Sequence, residues 1–314
     1  MFQIVREERV SGKVLKQNCM GGVEYLTFPA LEASGLAEHL FSTRLGGCSK
    51  GIFSSMNLSF SRGDDPGAVL SNYERIAKIL HCSVADMVSS KQTHTVNIRL
   101  VTQADRGKGI VRPLDYTDVD GLITKERGIA LVTTYADCVP LYFLDPVHEV
   151  IGLAHSGWRG TVMEMGRHMA EAMCENFNTR PEELIAAIGP AICSDCYQVG
   201  DDVAGQFKEM EVGFSDFLEE IWEKETLTGR GGSLPRVLRP GGACGKYQLN
   251  LWLANLLILR KAGIPLERIS VADVCTCHNP SYLFSHRASG GRRGNLGAFL
   301  MLKKKPEELC EKSH

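Results

Sequence analysis

Short runs of apolar and β-branched residues occupy most of the chain, and segments with apolar residues every three or four positions separate some of them. The short runs predict strands in EYLTF, HLFST, VNIRLVT, VDGLIT, GIALVTTYA, PLYFLD, EVIGLA, LIAAIGPAI, ISVAD and NLGAFLML. The wider spacing predicts helices over GAVLSNYERIAKIL, TVMEMGRHMAEAMCENF, 201–225 and 248–262. Because several strands follow one another directly, the pattern favours sheets with helices on their outer faces, an α/β (α+β) class, over a regular βαβ array. Residues 229–242, rich in Gly, Pro and Arg, are the weakest candidate for regular structure.

Composition narrows the class of protein. The 314 residues carry 35 basic and 37 acidic side chains, so no nucleic-acid or membrane-surface partner is expected. The chain has no apolar run of about 18 residues, and MFQIVREERV lacks the features of a signal peptide. Eleven scattered cysteines are an odd number, which favours reduced thiols and a cytoplasmic location over a disulfide framework.

The most informative pair of residues is Cys138 and His155, in YADCVPLYFLDPVHEVIGLAHSGWRG. Two strand-like runs separated by Asp145 and Pro146 lie between them and predict a hairpin. Such a hairpin returns its outer ends to one edge of a sheet, which places a thiol beside an imidazole. This pair suits either soft metal ligation or a thiol nucleophile activated by a base.

His94, in KQTHTV, is the natural third partner. One Cys and two His form a three-ligand zinc set with an open fourth position, as in catalytic zinc sites. The alternative is structural, because buried thiols are often inert and single histidines often only satisfy local hydrogen bonds. The nine histidines include no H-x-H pair, which counts against a multicopper oxidase.

Two further kinds of site are suggested by glycines, arginines and cysteines. In HSGWRGT, Gly157 and Gly160 permit close backbone approach, and the helix start with Arg159 suits an anion such as phosphate. Other arginines beside glycine pairs are Arg44, Arg287, Arg292 and Arg293. The alternative interpretation is a tight turn with solvated charges.

The segments CSDC and CTCH offer a structural zinc site, with Cys193, Cys196, Cys275, Cys277 and His278 as the possible ligands. Alternatively, Cys275 lies near the active pocket.

Several motifs together resemble one family. They are STRLGG, MNLSF, QTH, VDGLIT, ADCVPL, HSGWRG, IGPAI…CYQVG, DVCT, FSHR and RGNLGAFLML. The chain thereby resembles the laccase-domain proteins, once described as multicopper polyphenol oxidases and now as purine nucleoside phosphorylases with adenosine deaminase activity. The ending departs from the family, since many members have TGRxA where this chain has GRRGNLGA. Which of Arg292 and Arg293 reaches the pocket is therefore open.

The resemblance implies a single domain over residues 1–314, a layered αββα sandwich with mixed sheets. It implies a zinc ion, with copper as the other candidate, bound by His94, Cys138 and His155. The implied partners are a purine nucleoside (adenosine, inosine, guanosine or methylthioadenosine) and phosphate, and the expected state is a monomer. The implied pocket residues are Arg44, Asn57, Gln92, Asp137, Arg159, Cys275 and Arg287.

Within this hypothesis, Arg44, Arg159 and Arg287 are the candidates for holding phosphate. Asp137 either moves protons during deamination or, because neighbours on a strand face opposite sides, orients adjacent groups. Three alternatives stay open: a metal-free hydrolase with Cys138 as nucleophile and His155 as base, a copper-dependent phenol oxidase, and a zinc-stabilised binding module without catalysis.

Overall fold

The computed structural model describes residues 2–7, 14–223 and 235–305. These residues form fifteen strands and eight α-helices in the part of the chain so described. The strands are β1 Lys16–Met20, β2 Val23–Thr27, β3 Ala37–Ser42, β4 Met87–Ser89, β5 Ile98–Leu100, β6 Gly121–Thr124, β7 Ala130–Tyr135, β8 Val139–Asp145, β9 Val150–Ser156, β10 Ile185–Ile188, β11 Gln198–Gly200, β12 Leu238–Pro240, β13 Lys246–Leu249, β14 Ile269–Val271 and β15 Leu296–Leu302. The helices are α1 Pro29–Glu32, α2 Pro66–Ile79, α3 Trp158–Val162, α4 Met165–Phe177, α5 Asp201–Gly213, α6 Ser215–Glu223, α7 Leu251–Lys261 and α8 His286–Ser289.

The first sheet has the order β1-β2-β3-β15-β7-β4 and mixes antiparallel with parallel pairing. Side chains alternate between its faces along each strand. Phe41 and Leu300 point into the main core, whereas Leu40 and Phe299 pack in a second cluster with the apolar face of α2. Both faces of this sheet are therefore covered.

The second sheet has the order β14-β10-β8-β9-β6-β5. Every residue of β8 and β9 is buried, as their nearly continuous apolar sequence demands. One face packs on the first sheet, through contacts of β9 with β7 and β15, and α4 and α7 cover the other face. The layers run helix, sheet, sheet, helix, which confirms the predicted α+β class and layered αββα arrangement.

The predicted helices differ from the observed ones at their ends and breaks. The segment 161–177 is two helices, because Glu164 adopts a left-handed backbone conformation (φ 58°) between α3 and α4. The segment 201–225 breaks at Phe214, and its last two residues lie outside the described part of the chain. The helix expected from residue 248 begins at Leu251, because Asn250 caps its first turn and the residues before it belong to β13.

Several strands were not predicted from the sequence. Strands β1 and β4 join the first sheet, and β11, β13 and β12 form a small third sheet. Strand β12 lies within 229–242, whose residues up to 234 are outside the described part. In the described residues, no helix has the length and apolar character needed to cross a bilayer. The assignment of 1–314 to one domain stays a prediction.

Candidate metal and substrate site

The hairpin of β8 and β9 brings Cys138 and His155 together. The two strands pair antiparallel from Val139 with Ser156 to Asp145 with Val150, and Pro140 lies opposite His155. Cys138 precedes the first paired residue, so its side chain lies at the open end of the hairpin. The predicted hairpin is confirmed, and its outer ends meet at one edge of the second sheet.

His94 completes a compact group at this edge. The Cys138 sulfur and one ring nitrogen each of His94 and His155 all lie within 4.8 Å of one another. His94 stands on the loop before β5 and has a left-handed backbone (φ 67°), which is uncommon for a residue other than glycine. Its ring meets the His155 ring edge-on, with 5.0 Å between centroids. The structure therefore assembles the three predicted ligands from two distant segments.

Asp120, which sequence reasoning did not single out, orients the group. Its carboxylate accepts a hydrogen bond from His155 Nδ1 at 2.8 Å, which leaves Nε2 of that ring free to bind. The same carboxylate accepts bonds from the backbone N–H groups of Thr93, His94 and Thr95 at 2.9–3.1 Å. Asp120 is fully buried directly before β6, so one carboxylate fixes both the imidazole and the loop that carries His94.

Electrostatic coupling accompanies this geometry. Burial opposes ionisation of the Cys138 thiol, but the charge and hydrogen bond of His155, with help from His94, lower its pKa to about 6. Burial alone would lower the pKa of His155, but the Cys138 sulfur and the Asp120 carboxylate raise it to about 9. For Asp120, the hydrogen bonds outweigh burial and lower the pKa to about 2. A thiolate beside an imidazolium is thus favoured near neutral pH when no metal is bound.

The three donors fit a zinc ion. A thiolate and two imidazoles are preferred zinc ligands, and three protein ligands leave one position open. Tetrahedral bonds of roughly 2.0–2.3 Å would space the ligand atoms by roughly 3.3–3.8 Å. The donor atoms now lie within 4.8 Å of one another, so small side-chain movements would bring them to that spacing. Gly157 makes room for them, because a Cβ there would lie 2.8 Å from His94 Cδ2 and 3.1 Å from Cys138 Sγ.

A cavity of about 360 Å³ opens beside the donors. Of the described residues that line it, three are cationic and none is acidic. The cations are Arg62, Lys91 and Arg293. Phe60 and Tyr73 form an aromatic wall, stacked with 5.7 Å between ring centroids and 6° between planes. The arrangement combines an aromatic surface, positive charge and a soft-metal donor set.

Two of the predicted pocket residues are at this cavity or next to it. Gln92 lines it, and its amide makes 2.7 Å bonds to both the N–H and the C=O of Thr134. Asn57 is fully buried behind the lining, where its Oδ1 accepts a 2.9 Å bond from the backbone N–H of Asn295. Asn295 itself lines the cavity. Asn57 thereby supports the wall rather than facing the cavity.

Three predicted arginines lie outside the described cavity lining. Arg44 donates to the carbonyl oxygens of Ser54 and Pro280, at 2.9 and 2.6 Å. Arg159 lies over the Trp158 ring, 4.4 Å from its centroid. The third is Arg287, which donates to backbone carbonyls of the 196–198 segment at 2.9 and 3.0 Å. Their roles in phosphate binding stay predictions.

Arg293, not Arg292, lines the cavity with the three donors. Arg292 lines a neighbouring cavity, together with Arg44. Arg293 is 7% exposed, and burial lowers its pKa to about 10. Its terminal nitrogens contact Gly294, Asn295 and His286, but no described residue accepts a hydrogen bond from its buried Nε. A guanidinium that lines the cavity places a positive charge beside it, which favours an anion there.

The two remaining predicted residues face away from the donor group. Asp137 has a left-handed backbone (φ 90°), and its two carboxylate oxygens accept from Thr276 Oγ1 and the Arg287 N–H, both at 2.7 Å. Cys275 is fully buried in a separate cluster with Cys193, Cys196 and His278. These contacts engage both carboxylate oxygens of Asp137, and its two expected roles, in orienting neighbouring groups or in proton transfer, stay predictions.

Sequence reasoning missed Asp120, Phe60 and Arg62. Asp120 stands in VDGLIT and Phe60 in MNLSF, two of the segments that carried the family resemblance. That resemblance was the only signal for Asp120 and Phe60, and Arg62 had none, because a single carboxylate, aromatic or arginine in a loop has no distinguishing spacing.

The αββα sandwich, with a thiol–imidazole donor set beside a cationic cavity, defines a class of α+β protein that has the ligands for a soft metal ion. Residues 38–303 match the family described as multi-copper polyphenol oxidoreductase laccase, and the chain belongs to this family.

Relatives carry more specific names. The chain is 34% identical over 264 residues to purine nucleoside phosphorylase YlmD of Bacillus subtilis, covering 84% of this chain and 87% of that protein. It is 31% identical to adenosine deaminase RL5 of an unknown prokaryotic organism, covering 81% and 90%. The crystal structure of YlmD from Geobacillus stearothermophilus superimposes with a TM-score of 0.79 at 33% identity, covering 93% of this chain and 100% of that one. The fold is therefore shared over nearly the whole length.

Proposed function

We propose that this protein is a zinc-dependent purine nucleoside phosphorylase that also deaminates adenosine. The single observation that carries the proposal is the convergence of Cys138, His155 and His94 beside a cavity lined by Arg293. Relatives named for each of the two reactions, at 31–34% identity, support the choice of substrate class.

The donor set favours zinc over a multicopper centre. Multicopper sites need many imidazole ligands, and the other candidate metal groups among the described residues contain one histidine each. A zinc ion held by the three residues would supply Lewis-acid activation of water for a hydrolytic step. Asp120 would keep His155 in the tautomer that presents Nε2.

Arg293 is the proposed phosphate ligand. Arg293 and Arg62 place positive charge on the cavity wall, with no described carboxylate on the lining to compete. Phosphorolysis needs a dianion held against the anomeric carbon, so neutralising its charge is the main electrostatic requirement. Lys91, an exposed residue on the same lining, adds a further positive charge. The arginines named from the sequence, Arg44, Arg159 and Arg287, lie outside this lining.

Phe60 and Tyr73 are proposed to form the purine-binding wall. Phe60 is 37% exposed and its ring stacks on the buried Tyr73, so one aromatic face is available at the cavity. A planar base gains stacking energy on such a surface without needing base-specific hydrogen bonds. This is consistent with several purine nucleosides as substrates. The side-chain amide of Asn295 is one of the polar groups on the lining that could contact ribose or base.

Incubation with adenosine, with and without phosphate, tests both activities at once. Adenine and ribose 1-phosphate with phosphate, and inosine without it, are the expected products. A His94→Ala variant should lose both reactions together with bound zinc, because two ligands hold the ion far less tightly than three. Loss of zinc with full retention of turnover would refute the metal assignment and favour the metal-free hydrolase, in which the Cys138 thiolate attacks and His155 moves the proton.

A further inference from the structure

A second cluster of thiols lies on the far side of Asp137 from the substrate cavity. The sulfurs of Cys193, Cys196 and Cys275 and a ring nitrogen of His278 lie within 4.8 Å of one another. Two cysteines come from the turn after β10, and the other two residues come from the segment after β14. Three sulfurs and one imidazole with this spacing are the donor set of a closed, four-coordinate structural zinc site.

Local backbone geometry supports ligation. The Cys193–Cys196 segment is a turn in which the N–H groups of Cys196 and Tyr197 donate to the Cys193 carbonyl, at 3.2 and 3.0 Å. The Cys193 N–H in turn donates to the Cys275 sulfur at 3.2 Å. Backbone donors on sulfur favour the thiolate form that binds metals. Nδ1 of His278 lies 3.9 Å from the Cys193 sulfur.

We infer that Cys193, Cys196, Cys275 and His278 bind a structural zinc ion, separate from the donor group at the substrate cavity. The ion would link two loops whose nearest ligands, Cys196 and Cys275, are 79 residues apart in sequence. Coordination replaces thiol protons with the metal, so binding releases protons and needs no oxidant. This assignment stands whether or not the proposed enzymatic function is correct.

The proposed zinc ion would stabilise the 273–279 segment, which contacts Asp137 next to the substrate cavity. The 273–279 segment pairs with the turn through a bridge between Ala191 and Cys275. Thr276, next to Cys275, donates to Asp137 at 2.7 Å, and Asp137 precedes Cys138. The same segment holds the N-terminal residues, because Glu7 Oε1 contacts His278 Nδ1 at 2.8 Å. Binding through Nδ1 would exchange this hydrogen bond for the metal.

Zinc stoichiometry in a protein lacking the first donor group tests the inference. The His94→Ala/Cys138→Ser double variant, purified under reducing conditions, should retain about one zinc ion per chain by elemental analysis. Adding Cys193→Ser and His278→Ala should lower this to below about 0.1 per chain. These two residues are chosen because the Cys277 thiol contacts Cys196 and can replace it. Cys244→Ser, an exposed cysteine outside the cluster, is the matched control and should keep the metal.

Cobalt spectroscopy and thermal unfolding test the site without relying on the cluster variants, whose folding can fail for reasons other than metal loss. Cobalt substitution should give the intense absorption of a tetrahedral thiolate site, and Cys138→Ser should keep most of it because only one of four thiolates is lost. Chelation should lower the melting temperature of the double variant by roughly 5–10 °C. A folded double variant without zinc and without thiolate–cobalt absorption would overturn the inference. So would a Cys193–Cys275 disulfide in freshly purified protein.

Discussion

Replacing Gly157 by alanine tests the metal site through a single added methyl group. The backbone of Gly157 is extended (φ −75°), so alanine adopts its conformation without strain. The added Cβ would nevertheless lie 2.8 Å from His94 Cδ2 and 3.1 Å from Cys138 Sγ. Carbon atoms prefer separations of about 3.5–4.0 Å, so the His94 ring must move by roughly 0.7–1.2 Å.

This displacement is large for a metal ligand. Ligand distances are held within roughly 0.2 Å in functional sites, and disturbing the groups that orient ligands costs about 10–100-fold in affinity. We therefore expect Gly157→Ala to weaken zinc binding by about 10–100-fold, or about 1.4–2.7 kcal/mol. Stability without metal should change little, because His94 is exposed and its loop can adjust.

The assay is zinc competition against a chromogenic chelator, with adenosine phosphorolysis measured at limiting zinc. Gly160→Ala is the matched control, since its Cβ would meet its nearest atoms, the His155 and Thr95 carbonyl oxygens, at an ordinary 3.6 Å. Alanine also favours helix α3 by up to about 1 kcal/mol there. Unchanged zinc affinity in Gly157→Ala, or an equal loss in Gly160→Ala, would refute the placement of His94 and Cys138 against this glycine.

Three further predictions concern the groups around the donors. Asp120→Asn should weaken zinc binding by about 10–100-fold, because it removes the carboxylate that orients His155. Asp118→Asn changes an exposed neighbour and should leave zinc affinity unchanged in the same competition assay. Arg293→Met should raise the KM for phosphate at least about tenfold and leave the rate of deamination within about threefold. The control Arg292→Met should leave both reactions unchanged. Equal losses in the two reactions would contradict a phosphate role for Arg293. In metal-free protein, iodoacetamide should alkylate Cys138 at a rate that is constant above about pH 7 and falls as pH drops through about 6, because the lowered pKa keeps the thiolate form down to that pH. A midpoint near the ordinary thiol value would show that His155 does not stabilise the thiolate.

Local patterns were sufficient for the elements that build the donor group. The buried runs PLYFLD and EVIGLA around Asp145 and Pro146 predicted the hairpin, and its antiparallel pairing follows from its length alone. Helix α2 was also predicted nearly to its ends from the helical spacing of its apolar residues, and in the structure Asp65 caps its first turn and Pro66 begins it. Break points such as Glu164 were missed, since a glutamate carries no signal for a left-handed backbone.

Long-range proximity required the tertiary structure. The sequence named the arginines as anion ligands by residue type, but Arg44, Arg159 and Arg287 are engaged by backbone carbonyls or an aromatic ring away from the cavity lining. Only the packing of the last strand beside β7 brings Arg293 to the cavity. No local spacing encodes which of two adjacent arginines turns inward.

The sequence by itself determined which chemistry this protein can carry: a thiol and an imidazole at the two ends of one hairpin, with a third donor available elsewhere. Such a pair is local, and its geometry depends on strand pairing over 17 residues. The tertiary structure decided what surrounds that pair, from the Asp120 carboxylate that aims His155 to the position of Cys275 in a separate thiol cluster. These contacts join segments 35 and 82 residues apart, and they exist because strands that are distant in sequence, β6 with β9 and β10 with β14, are neighbours in the second sheet.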